Sequence, residues 1–163
     1  MTASSTRKIA RAAEAIPSPA ELEAAIRALG VDIAARADES EAARRPPQDL
    51  FERLAATGIF KMLWPIESGG FGFTQAEALP VIEALAAADG SAGWSTMIGA
   101  ESAALWMRFA DFAPTARSAA YGVLTRPSLI PRGVARRTPK GWHLKGRWPL
   151  ASGAYDADWF IAS

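Results

Sequence analysis

Apolar residues recur at helical spacing through most of the chain and at strand spacing near its end. Ser18-Pro19-Ala20-Glu21 has the features of a helix start: Ser18 can cap, Pro19 suits the first helical position, and Glu21 completes a capping box. Leu22, Ile26, Leu29 and Ile33 then fall on one stripe. Glu23 and Arg27, one turn apart, can pair on the wet side. The pattern predicts a single helix to about Arg44, broken by Pro46 and Pro47. A second helix begins near Pro47, with Leu50, Phe51, Leu54 and Ala55 facing inward and Gly58 as its stop. A short apolar connection, 59–64, leads into a glycine-rich loop, 67–73. Thr74 and Glu77 repeat the capping box. Leu79, Ile82, Leu85 and Ala86 predict the buried face of the next helix, which Pro80 should kink or delay. Ser91 is the expected cap of a further helix, with Trp94, Met97, Ile98 and Leu105 inward, ending before Pro114. A short helical piece is predicted over 115–120.

The period then changes. Residues 121–125 read as a strand, and 133–138 and 142–146 as two strands joined by a turn at Pro139-Lys140-Gly141. In the second of these, Trp142 and Leu144 face one way while His143, Lys145 and Arg147 face the other. The last strand candidate is 158–162. The pattern therefore predicts an α+β chain: a flexible tail over 1–17, a helical domain over 18–120, and the first strands of a β domain over 121–163. The last run is still apolar where the sequence stops. The expectation is the front part of a larger design.

At 163 residues, half of them hydrophobic and 21% charged, the chain can bury a useful core. It has no run of roughly 18 apolar residues, so no membrane span is expected. It has no cysteine, which excludes disulfides, thiol nucleophiles and thiolate metal sites and suits a reducing, cytoplasmic location. The single histidine, His143, excludes a multi-histidine metal site, and no metal is expected. The basic N-terminus (Arg7, Lys8 and Arg11 before Glu14) lacks the apolar stretch of a secretory signal and reads as a frayed tail.

Charge is uneven. Of the 17 acids, all but Asp156 and Asp158 lie between Glu14 and Asp111. The acid-free stretch that follows carries Arg117, Arg126, Arg132, Arg136, Arg137, Lys140, Lys145 and Arg147. Such a stretch attracts phosphate or another anion, or is a solvated strand face; spacing does not choose between these. No nucleic-acid module accompanies it. His143 is a candidate general base, but with no acid near it in sequence it reads better as an exposed strand residue. Asp156 and Asp158 are candidates for a carboxylate pair or a hard-cation site, and more simply turn residues. The loop 67–73 lacks the Gly-Lys-Ser/Thr ending of a phosphate loop. Trp148-Pro-Leu-Ala-Ser-Gly153 offers an apolar platform, backbone donors and a hydroxyl, the parts that position a flavin ring; a plain barrel corner explains the same residues. No catalytic residue is assigned.

Three pieces occur in the order found in the acyl-CoA dehydrogenase superfamily. The loop Trp64-Pro-Ile-Glu-Ser-Gly-Gly-Phe-Gly72 resembles its Pro-x-x-x-Gly-Gly-x-Gly element. Glu83 to Trp94 is similar to the helix and turn that follow. Pro131 to Ala135, Gly141 to Gly153 and Ala157 to Trp159 make up the third piece, and its Gly-Arg-Trp-x-x-x-Ser-Gly form resembles the two-component flavin-dependent monooxygenase branch. The resemblance implies the family's N-terminal helical domain followed by the first strands of an incomplete β-barrel. It implies FAD or FMN as cofactor, with Thr125, Trp148, Leu150 and Ser152 at the flavin ring. It further implies a monooxygenase acting on a small organic substrate with reduced flavin and oxygen. A separate flavin reductase and a homo-oligomer, a tetramer in intact relatives, follow from the same likeness. Arg126 stands where the dehydrogenases usually carry glutamate, and their Gly-Ser pair at the cofactor pyrophosphate is not clearly present. An acyl-CoA dehydrogenase with bound FAD is accordingly the second reading, and a non-catalytic remnant or helical interaction module the third. Alone, the chain is expected to bind flavin weakly and to turn over nothing.

Overall fold

The computed structural model describes residues 15–107, 123–125, 130 and 132–162. Most of the N-terminal tail, the helical piece predicted over 115–120 and the domain boundary near 120 lie outside them. Helix α1 (Pro19–Ala35) starts as expected: Ser18 Oγ accepts the Glu21 N–H, and the Glu21 carboxylate takes the Ser18 N–H at 2.7 Å. Leu22, Ile26, Leu29 and Ile33 are buried along its stripe. The single helix expected to Arg44 is two, and this corrects the sequence reading. Arg36 leaves helical geometry at φ −115°, ψ 24°, and α2 (Ala37–Ala43) resumes after it. The Arg36 guanidinium bonds Glu39 and, across thirteen residues, Asp49, each at 2.7 Å. That reach toward the following helix accompanies the break. Helix α2 buries no residue and ends at Arg44 in the left-handed region.

Helix α3 (Gln48–Ala56) buries Leu50, Phe51 and Leu54 as predicted. The glycine-rich loop behind it is a closed turn. The Gly70, Phe71, Gly72 and Phe73 N–H groups donate to carbonyls of Pro65, Lys61, Trp64 and Met62. A Cβ on Gly70 would lie 2.2 Å from Trp64 Cβ and 2.5 Å from the Trp64 carbonyl oxygen, so only glycine fits. The Ser68 and Gly69 N–H groups are bonded within the turn as well, so the backbone donors of residues 68–73 are all spent and none is left for a phosphate.

Helix α4 (Gln75–Ala88) begins with the Thr74–Glu77 capping box and continues past Pro80, so its start is not delayed. Pro80 sits on the exposed side, where water can take the carbonyl it leaves unpaired. The buried face is Ala78, Val81, Ala84 and Leu85; Leu79 and Ala86 are exposed, against expectation. Helix α5 (Gly90–Trp106) is capped by Asp89, not Ser91: Asp89 Oδ1 accepts the Ala92 N–H at 2.7 Å. Its inward face is Gly93, Thr96, Gly99, Ala100, Ser102 and Ala103, while Trp94 and Leu105 are exposed. Small residues let α5 press against its neighbours, so the large ones turn outward. Helices α1, α3, α4 and α5 share one core; a second cluster of Trp64, Ala103 and Met107 is covered by Trp159 and Ile161.

Strands β1 (Leu124–Thr125) and β4 (Trp159–Phe160) pair in parallel. Strands β2 (Gly133–Thr138) and β3 (Gly141–Gly146) form an antiparallel hairpin around Pro139-Lys140, with Arg137 opposite Trp142 and Ala135 opposite Leu144. The α+β architecture is therefore as expected, with two short strand pairs among the described residues standing where the first barrel strands were predicted. No helix among the described residues is long and apolar enough to cross a membrane.

Candidate functional site

The segment from Trp148 to Ser152 crosses from the hairpin to the helical block. At its start the Trp148 ring lies on Gly133 and Gly146, where added Cβ atoms would sit 2.1 and 2.6 Å from it, and it meets Phe160 edge-on with centroids 6.0 Å apart. Trp148 thereby ties the base of the hairpin to β4. Leu150 follows at φ 60°, a left-handed conformation unfavourable for leucine, and leaves its side chain 83% exposed. At Ser152 two contacts converge. The Thr125 hydroxyl, fully buried, donates to the Ser152 carbonyl, and the Trp94 indole N–H donates to Ser152 Oγ at 3.0 Å.

Of the four residues singled out in the sequence, Thr125 and Ser152 are thus brought into direct contact. Leu150 projects beside them, and Trp148 packs one step back. Trp94 was expected in the core of its helix and is instead a member of this group. Two sequence signals point to it: it closes the Glu83-to-Trp94 piece of the resemblance, and it lies opposite the small residues of α5.

The remaining candidates have other partners. Asp156, its side chain only 7% exposed, pairs with Arg45 at 2.9 Å. Burial raises its carboxyl pKa above the usual value, and the Arg45 charge opposes that rise. Asp158 accepts the Val123 N–H at 3.0 Å beside β1. The two carboxylates are therefore committed separately, and no metal-binding cluster of His, Asp or Glu occurs among the described residues. His143 is exposed on β3, opposite Arg136. Arg132, Arg136, Arg137, Lys140, Lys145 and Arg147 are exposed on and around the hairpin. Beside the Ser152 turn a cleft of about 520 Å³ opens between α2, α3 and the first turns of α5. Phe51, Leu54, Phe60 and Val123 line its apolar part, and Ser95, Gly153 and Tyr155 lie on the side toward Ser152.

A small-residue α5 packed on α4, a closed glycine-rich turn and a tryptophan-to-serine segment laid against the helices define a recognisable class. The family model described as acyl-CoA dehydrogenase, N-terminal domain, matches residues 20–117, more than half of the chain, and the chain belongs to that family. The flavin-dependent monooxygenase oxygenase subunit HsaA of Rhodococcus jostii (strain RHA1) is 31% identical over 131 residues, covering 77% of this chain and 33% of that protein. The HsaA monooxygenase from M. tuberculosis superposes with a TM-score of 0.79 at 26% identity, over 90% of this chain and 40% of that one. XiaF from Streptomyces sp., solved in complex with FADH2 and glycerol, gives 0.78 at 26% identity, over 88% and 37%. The resemblance read from the sequence, to the superfamily and to its flavin-dependent monooxygenase branch, is borne out. The chain spans about a third of the length of the curated relatives it matches.

Proposed function

We propose that this chain forms the N-terminal part of the oxygenase component of a flavin-dependent monooxygenase, acting with reduced flavin and oxygen on a small organic substrate. The observation that carries the proposal is the Thr125–Ser152–Trp94 group. A serine is held by its carbonyl and by its hydroxyl, and two side chains associated with it are exposed and apolar: Trp94, bonded to its hydroxyl from α5, and Leu150, two residues before it. This fits an isoalloxazine ring, which needs flat apolar surfaces and a few fixed polar groups. Flavin, FAD or FMN, supplies redox chemistry that protein side chains lack. In this reading Ser152 and Leu150 face the ring, while Thr125 and Trp148 hold the segment from behind. The adjoining cleft of about 520 Å³ takes the organic substrate.

The helical block, from residue 18 to about 120, and the β segment that follows act as separate domains in this proposal. A distinct reductase delivers the reduced flavin, and the protein works as a homo-oligomer in the cytoplasm. The monooxygenase relatives weigh for this reading over an acyl-CoA dehydrogenase or a non-catalytic module. The test is anaerobic titration of the chain with reduced FAD and reduced FMN, and aerobic titration with the oxidised forms, followed by fluorescence quenching. Saturable binding that weakens severalfold in Ser152→Ala is expected. Absence of binding, or binding indifferent to Ser152, would contradict it.

A further inference from the structure

Among the described residues, neither core cluster includes Trp94. A core tryptophan buries its ring, yet Trp94 keeps 57% of its surface exposed while Gly93 and Thr96 beside it are buried. Among the described residues, it is held by a directed bond from Nε1–H to Ser152 Oγ at 3.0 Å, between residues 58 apart in the chain. An indole nitrogen only donates; a hydroxyl has one donor and two acceptor sites. The bond therefore makes Ser152 Oγ an acceptor toward α5 and turns its own proton away, available to another acceptor. Thr125 holds the same residue by its carbonyl from β1. Side chain and main chain of Ser152 are thus fixed independently, by two elements that the tryptophan-to-glycine segment, 148–153, does not contain.

We propose that Trp94 is a positioning residue of the ligand site: its N–H sets the orientation of the Ser152 hydroxyl, so that Ser152 meets the bound ring as a donor. The inference rests on the flavin reading above and extends the site from the β segment onto α5. It also predicts that ligand binding and the first turns of α5 are coupled.

Two measurements test it together. Trp94→Phe keeps a large apolar ring and removes only the donor; Ser152→Ala removes the acceptor. In ¹H–¹⁵N spectra, the indole signal that disappears in Trp94→Phe identifies Nε1–H of Trp94. That signal should move upfield in Ser152→Ala, because the proton loses its acceptor. In flavin titrations each single variant should bind about fivefold more weakly, the worth of one hydrogen bond. The double variant should be no weaker than the poorer single one, because both changes remove the same contact. An indole signal indifferent to Ser152→Ala, or losses that multiply in the double variant, would overturn the role of Trp94 while leaving flavin binding intact. A wild-type chain that ignores flavin altogether would overturn both the flavin reading and this role.

Discussion

The helical block and the β hairpin use the same kinds of residue to different ends. In α1 and α4 most leucine, isoleucine and valine side chains go inward, with Val31 and Leu79 the exposed exceptions: Ile26, Val81 and Leu85 are fully buried. In β2 and β3, Val134, Leu144 and Trp142 stay 57, 50 and 70% exposed, and the Trp148 ring packs on the hairpin base at Gly133 and Gly146. A two-stranded hairpin with both faces wet is marginal by itself. The helical block is therefore the source of stability, and the segment between the two regions, docked by Thr125 and Trp94, is where a ligand can be held.

The largest way to break that contrast is a cavity in the block. Ile26→Ala should cost about 2–5 kcal/mol in urea denaturation, because Ile26 is fully enclosed by the shared core. Next comes the α4 cap: Thr74→Ala should cost about 1 kcal/mol by the same method, since the Glu77 N–H loses its acceptor.

A smaller, pH-dependent difference separates the regions. The hydrogen bonds from Ser18 and Thr74 hold the Glu21 and Glu77 carboxyls below their ordinary pKa. Their contribution is complete above about pH 4.3 and is lost as pH falls through the depressed values. Asp156 has the opposite sign. Burial raises its pKa, so its contribution is complete below about pH 3.9 and is lost as pH rises through the raised value. Denaturation midpoints followed from pH 3 to 7 should thus show Glu77→Gln flattening the acid limb. Asp156→Asn should remove a decline toward neutral pH and cost little at pH 7. The smallest effect belongs to the hairpin: Trp142→Ser should change stability by less than about 0.5 kcal/mol, and a larger loss would mean that the exposed face is covered in solution.

How much of this was legible in the sequence depends on range. The capping boxes at Ser18 and Thr74, the burial of Leu50, Phe51 and Leu54, and the hairpin with Trp142 and Leu144 on one face depend on residues within a few positions of one another, and local patterning found them. The break at Arg36 was not visible, because Ala35-Arg36-Ala37 contains no helix breaker and the ion pair at its side reaches Asp49 in another helix. The inward face of α5 was misread because hydrophobicity favours Trp94 and Leu105, whereas close helix packing selects glycine, alanine and serine. Thr125 and Ser152 were singled out from resemblance and not from geometry. Their contact with each other and with Trp94 joins three distant parts of the chain, which no periodicity encodes.

Hydrogen exchange with and without flavin tests the account most directly. The free chain should show strong protection in α1, α3, α4 and α5 and weak protection in β2 and β3. Added flavin should slow exchange at residues 150–153 and in the first turns of α5, leaving α1 to α4 and the hairpin unchanged. Unaltered exchange throughout, or new protection confined to the basic hairpin, would contradict it.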